Sequence, residues 1–240
     1  MASEPSTVWQ VLPHGPIEVL AENLWRVQGS LRGMSLKRVM TIARMTDGSL
    51  VLHSPIALEE DAMVDLEALG TPAFLIVPSR YHRLDAPAYL ERYPKLRVFA
   101  PLGSMKHVSK LVRVDGSYQD FAKDDGVQLE PLQGVGDLEG LMKVHSHDGV
   151  TVVLNDIVFN MPRKRDPLGW FFTTLLGSAP GPRISRLTKL SLVKDHKALR
   201  KDLERLAATP NLTRLIVAHE DIATGPAAPS ALRKAAAYLE

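Results

Sequence analysis

The sequence predicts an α/β chain, more fully an α+β chain built as an αββα sandwich, with two mixed sheets face to face and helices outside. Three observations predict it. β-Hairpin sequence followed by alternating apolar and helical runs occurs twice along the chain, before residue 100 and after residue 125. The runs AFLIV (residues 73–77) and LTRLIVA (212–218) are short and largely apolar, as interior strands covered on both faces tend to be. Helical patterns lie around both runs, and strand–helix alternation of this kind builds layers around a shared core.

The elements follow in order. IEVLAENLWRVQGSL (17–31) alternates weakly and predicts one or two short strands. RVMTIARM (38–45) and SLVLH (49–53) flank Thr46-Asp47-Gly48, a hairpin signal because glycine tolerates the positive φ of a tight turn. Leu58, Met63, Leu66 and Leu69 share one helical face behind the acidic Glu59, Glu60 and Asp61, and Gly70 stops that helix. Residues 85–92 predict a short helix and 96–100 a further strand. In the second half, 127–129, 140–144 and 150–158 read as strands, with His147-Asp148-Gly149 as a hairpin turn. A helix is predicted over 195–208, and an Ala-rich helix over 229–239 closes the chain. The chain is expected to form a single domain over 1–240, with a lid over about 162–186, where glycines and prolines bound the apolar piece WFFTTLL.

Composition narrows the function. Of 240 residues, 45% are hydrophobic, enough for a sizeable core. Lys and Arg number 29 against 27 Asp and Glu, so the net charge of +2 gives no general electrostatic case for nucleic acid, and none is expected as a partner. The absence of cysteine excludes disulfides, thiolate metal sites and a Cys nucleophile. The opening MASEPSTVWQVLPHGP has no basic segment followed by an apolar run, so no secretory leader is expected. No window is long and apolar enough to span a membrane, and a cytoplasmic location is expected.

The chemistry concentrates after the apolar strand of FLIVPSRYHRLDAP (74–87), which runs into Ser79-Arg80-Tyr81-His82-Arg83-Leu84-Asp85. Later come Gly136-Asp137-Leu138-Glu139-Gly140, then Asp156 in VLNDIVFN, then His219 in LIVAHED. With MTIARMTDGSLVLHSPI (40–56), YLERYPKLRVFAPLG (89–103) and TVVLNDIVFN (151–160), these segments resemble a degenerate member of the metallo-β-lactamase-like superfamily, of DUF4336 type. The resemblance spreads over most of the chain, and the order of the segments is more specific than any one of them.

What the resemblance implies is stated residue by residue. The family's strand is followed by Thr-His-x-His-x-Asp-His, and only His82 keeps its histidine slot. Arg80 and Leu84 replace a first His and the Asp that serves a second metal; Asp85 and Asp137 are carboxylate replacements; Asp156 and His219 keep their slots. His82, Asp85, Asp137, Asp156 and His219 are therefore expected to gather at one rim. Arg80 is expected to pair with Asp156 rather than tolerate a dication beside it.

Two functional readings stay open. In the first, the metal centre is degraded and the rim binds a small anionic ligand or a partner through Arg80, His82 and His219. In the second, the chain is an active hydrolase with one divalent metal, in an oxygen-rich site suiting Mn, Mg or Fe over Zn. Asp85 or Asp156 would then be the catalytic carboxylate. Usual dinuclear zinc hydrolysis is not expected. Plain structural roles compete at each position: Asp156 as a turn cap, His219 as a satisfied rim histidine, His53 packed against its loop, and His145 and His147 at an exposed hairpin tip. The basic run 163–165 before Trp170 is expected to be a solvated lead-in to a helix packed over the rim, with a nuclease or membrane-surface role as the competing reading.

Overall fold

The computed structural model describes residues 6–239; residues 1–5, part of the stretch read for a leader, lie outside them. Two sheets form. The first has seven strands in sequence order: β1 (Glu18–Ala21), β2 (Leu24–Leu31), β3 (Met34–Arg44), β4 (Ser49–His53), β5 (Thr71–Ile76), β6 (Arg97–Ala100) and β7 (Gly116–Ser117). β1 to β4 meander antiparallel, whereas β4 to β7 run parallel. Parallel neighbours need crossovers. These carry the helices α1 (Glu60–Ala68), α2 (Ala86–Arg92) and α3 (Met105–Val108).

The second sheet contains β8 (Val127–Pro131), β9 (Gly140–Ser146), β10 (Gly149–Val153), β11 (Leu212–Ile216) and β12 (Ala223–Thr224), in the order β12-β11-β10-β9-β8. β10 and β11 are parallel, and the other pairs are antiparallel. The crossover from β10 to β11 holds α4 (Pro167–Trp170), a π-helical turn (Phe171–Leu175), α5 (Arg186–Ser191) and α6 (His196–Ala207). α7 (Ala227–Ala237) follows β12.

Three buried layers make this the expected αββα sandwich. Between the sheets, Phe74, Ile76 and Phe99 meet Val144, Val153 and Ile216. Their alternate neighbours Leu75 and Val77 face outward onto Met63 and Leu66 of α1. On the far side Val152 and Leu215 pack beneath Leu199, Leu203 and Leu206, a one-sided helical stripe of α6, and beneath Leu232 of α7. Both runs predicted to be interior strands have a strand on either side.

The hairpin turns behave as their residues require. Gly48 sits at φ +86° with open space where a Cβ would go, and its N–H donates to the Met45 carbonyl at 3.1 Å. Gly48→Ala would therefore meet no clash and only backbone strain. We expect a loss of about 1 kcal/mol in urea unfolding, whereas an unchanged midpoint would contradict this account of the turn.

Two differences from the sequence expectation matter for the site. Within the run 150–158 the strand ends at Val153, Leu154 donates one more N–H to the Ile216 carbonyl at 2.9 Å, and the chain then leaves the sheet, with Asp156 on the loop beyond. The polar Asn155 and Asp156 mark that exit. The elements α3, α5, β7 and β12 have two to six residues, too few to show a period in sequence.

Candidate metal centre

Side chains at the carboxyl ends of β4, β5, β10 and β11 converge on one rim between the sheets, the usual place for a site in a sheet with parallel strands. Ser54 follows β4, His82 the loop after β5, Asp156 the exit from β10, and His219 the end of β11. The last loop is pinned across the sandwich. Val39 donates its N–H to the Ala218 carbonyl at 2.8 Å, and Lys37 donates its N–H to Glu220 Oε1 at 2.7 Å. Bonds of this kind hold His219 against β3.

Asp156 Oδ1 lies 3.1 Å from His82 Nε2 and 3.4 Å from His219 Nε2. One ligand atom from each of the three residues falls within 4.8 Å of the others, and the side chains are only 10–13% exposed. A tetrahedral ion with legs of about 2.0–2.1 Å sets its ligand atoms about 3.3 Å apart, so both short separations match the edge of such a site. His219 Nδ1 lies 2.9 Å from the Lys37 carbonyl, which can only accept; the ring therefore carries its proton there and turns Nε2 inward. His82 Nδ1 lies 3.0 Å from Ser54 Oγ, leaving its Nε2 for Asp156.

The electrostatics fit a charged cluster in a dry place. Burial alone would raise the Asp156 carboxyl, but the His82 charge and hydrogen bonds from both imidazoles overcome it and hold the group well below the usual range. Burial lowers the His219 pKa, and the Asp156 hydrogen bond and charge reverse this into a net rise. His53, beneath His82, is pushed down to about 3 by burial and by the His82 charge, so it stays neutral.

Ser54 has φ +56°, a conformation rare outside glycine. Its hydroxyl is the partner of His82 Nδ1, so it acts as a positioning residue. Removing such a partner typically weakens a metal site 10–100-fold. If the trio holds a divalent ion, Ser54→Ala is expected to weaken its affinity by roughly that factor with the melting temperature nearly unchanged; an unaltered affinity by calorimetry would refute the role.

The other expected residues lie apart from this trio. Asp85 is buried, pairs with Arg38 Nη2 at 2.6 Å and accepts the Ala57 N–H at 3.1 Å, so its charge is committed to β3 and the β4–α1 loop. Asp137, at φ +55°, lines a separate small hollow with Leu102 and Tyr118. The oxygen-rich set therefore does not assemble among the described residues; the convergent donors are two nitrogens and one carboxylate. Arg80 does not reach Asp156 either. Its guanidinium turns onto the neighbouring Tyr81 ring, 4.7 Å from the centroid, and forms no ion pair among the described residues. Stacking on an adjacent aromatic ring needs no desolvation at the rim. His147 sits exposed at the β9–β10 hairpin tip, with Ser146 paired to Gly149.

Glu139 lies in the segment 136–140 but is given no role from the sequence, and the structure brings it to the back of the site. Its Oε1 accepts from Asn155 Nδ2 and from the Asp156 N–H, both at 3.3 Å, while Oε2 is buried without a partner. Burial, then the Asp156 charge, raises its pKa well above the usual carboxyl range, which favours its protonated form.

In front of the trio opens a cavity of about 430 Å³, within the range of small-molecule sites. Its walls are mainly apolar: Leu31, Leu36, Leu84, Phe159, Met161 and Phe172 among them. Among the described residues Arg38 is the one Lys or Arg that lines it, and that charge is spent on Asp85.

No family model matches the chain, and no curated protein does. Solved structures do. DIM-1 metallo-β-lactamase exposed to ceftazidime aligns with TM-score 0.63 at 11% identity, covering 96% of this chain and 100% of that one. A metallo-β-lactamase from Pontibacter korlensis aligns at 0.60 and 10% identity, covering 93% and 97%. FIM-1 from Pseudomonas aeruginosa, in its mono-zinc form, aligns at 0.59 and 10% identity, covering 97% and 98%. With the two mixed sheets and the flanking helices, these likenesses establish that the chain has the metallo-β-lactamase fold.

Proposed function

We propose that the chain is a metal-dependent hydrolase with a one-ion centre held by His82, Asp156 and His219, acting on a molecule with an apolar body. The observation that carries this is the 3.1 Å and 3.4 Å spacing of Asp156 from two imidazole nitrogens at the floor of an open cavity. Two His nitrogens and one carboxylate with an open side are a donor set for catalytic zinc, and also for non-haem iron. An ion bound there would supply Lewis acidity and lower the pKa of bound water.

The chain's own residues do the rest. The Lys37 carbonyl and Ser54 hydroxyl orient the two imidazoles. Glu139, its pKa raised by burial, backs Asp156 by accepting its N–H. The apolar walls exclude water and strengthen each polar contact inside. Leu84 places no carboxylate in the cavity for a second ion. Residues 162–186 act as the lid of a single domain, for Phe172 and Ser178 form part of the cavity wall.

One observation favours a second reading, a small anion bound at the rim without metal. The raised pKa of His219 beside His82 gathers positive charge over one carboxylate. Arg80, turned onto Tyr81, adds nothing to that charge. The finer kinship to the DUF4336-type branch rests on the sequence segments alone. A cytoplasmic location agrees with the absence, among the described residues, of a helix long and apolar enough to cross a membrane.

Elemental analysis of the purified protein, with hydrolysis of acyl ester and thioester probes before and after chelation, tests the proposal. About one metal per chain and chelator-sensitive turnover restored by zinc are expected. Two metals per chain, or turnover indifferent to chelation, would overturn it.

A further inference from the structure

The β10–β11 crossover also carries a second hollow, lined by residues other than those of the metal-centre cavity. There Arg163, Arg183, Arg186 and Lys189 line a surface hollow of about 330 Å³ together with Thr174 and Tyr238, and among the described residues no carboxylate lines it. None of the four cations joins an ion pair among the described residues, whereas Arg26, Arg92, Arg205 and Arg214 elsewhere each do. With 29 cations against 27 acids in the whole chain, four uncompensated cations around one hollow are a strong local excess. Arg183 is fixed by donating to the Ala179 carbonyl at 3.2 Å and to Tyr238 Oη at 2.7 Å, yet its Nε is buried with no partner. Convergent guanidinium and ammonium groups of this kind suit the oxygens of a phosphate monoanion or diester.

The same segment exposes apolar side chains that a wholly aqueous surface would disfavour. Leu168, Trp170, Phe171, Leu175, Leu187 and Leu190 make up six of the twelve large hydrophobic side chains that are exposed among the described residues. Leu190 is 86% exposed. In α5 the charge and the apolar surface meet on one helix. Arg186 and Lys189, three residues apart, share one arc and line the basic hollow; Leu187 and Leu190, also three apart, share the next arc. Basic groups beside exposed Leu, Trp and Phe are the arrangement by which a protein lies on an anionic lipid surface, apolar side chains in the acyl boundary and cations at the phosphates.

We propose that residues 163–190 dock on an anionic phospholipid membrane, with one lipid phosphate seated among Arg163, Arg183, Arg186 and Lys189. The consequence for the cavity is direct. Leu187 and Phe172 line it from within, so docking brings its apolar walls to the bilayer surface. An amphiphile could then pass from the membrane to the site without crossing water. The docking does not depend on the metal centre, and chelation leaves it unchanged.

Vesicle co-sedimentation tests it, comparing phosphatidylcholine alone with phosphatidylcholine containing phosphatidylglycerol. The chain is expected to bind the anionic vesicles and to be released by salt. At about 1 kcal/mol per basic residue near the surface, Arg186→Glu with Lys189→Glu should weaken that binding roughly 30-fold or more, and Leu190→Asp should weaken it with the hollow intact. Circular dichroism melting checks that the variants stay folded. Equal binding to neutral vesicles, or binding indifferent to these substitutions, would overturn the proposal. So would inorganic phosphate or a single-stranded oligonucleotide binding the hollow while anionic vesicles do not.

Discussion

Asp156→Ala is expected to empty the candidate centre and to lower hydrolysis by roughly 1000-fold or more. The carboxylate is the shared neighbour of both imidazoles, 3.1 Å from His82 and 3.4 Å from His219. Without it two nitrogens remain, too few to hold a divalent ion, and a Lewis acid's contribution of several kcal/mol goes with the ion. The main-chain carbonyl that Thr188 Oγ1 donates to at 3.0 Å is untouched, so the local fold is expected to survive. Asp156→Asn separates charge from shape: it keeps the volume, removes the anion and should lose metal almost as fully. The measurements are metal stoichiometry after dialysis and turnover with added zinc. Stoichiometric metal retained in both variants with turnover unchanged would mean that the protein does not use this site. Turnover lost with metal still bound would assign Asp156 to the chemistry rather than to ligation.

Much of the fold was legible because its signals are local and redundant. The Asp47-Gly48 and Asp148-Gly149 turns, the apolar runs around Leu75 and Leu215, and the Leu199–Leu203–Leu206 stripe each state an element without reference to the rest of the chain. The site was legible only in part, and physics explains the division. His82, Asp156 and His219 were expected at one rim from the resemblance of their segments, and they lie in the loops just beyond β5, β10 and β11. Asp85 and Asp137 sit beside the right strands as well, but a residue's direction depends on partners remote in sequence. Arg38, far before Asp85 in the chain, claims that carboxylate at 2.6 Å. The left-handed backbone at Asp137 belongs to a loop that faces another hollow. Arg80 was assigned a partner by charge alone, and its guanidinium stacks instead on the aromatic ring next to it in sequence, with Nε buried and without a hydrogen-bond partner. Glu139 was missed because a buried neutral carboxyl carries no composition signal. Only burial, seen in three dimensions, distinguishes it from a surface glutamate.

That buried carboxyl gives the second large effect, Glu139→Gln, which is expected to stabilise the chain increasingly as pH rises. Glu139 is fully buried, and its pKa is raised first by burial and then by the Asp156 charge. An unfolded glutamate titrates near about pH 4.3. Below that both states are protonated and the group has no effect on stability. Above it the unfolded chain releases the proton while the folded chain keeps it, so folding binds a proton and stability falls by about 1.4 kcal/mol per pH unit until the folded pKa is passed. The glutamine variant would have no proton to lose, and the slope should vanish with it. The new amide can still accept from Asn155 and the Asp156 N–H, and its NH₂ brings a donor to a cluster where Asn155 Oδ1 is buried without a partner. Asp156 contributes with the opposite sign and in a different window: its depressed pKa gives stability that is complete at neutral pH and is lost only as pH falls below the usual carboxylate range. His219, with a raised pKa, loses its contribution as pH rises, but equally in both proteins, so the difference between wild type and Glu139→Gln isolates the one carboxyl. Urea unfolding of chelated protein from about pH 5 to about pH 8 measures that difference. Parallel curves would mean that Glu139 ionises freely in the folded state, and would remove the neutral carboxyl from behind Asp156.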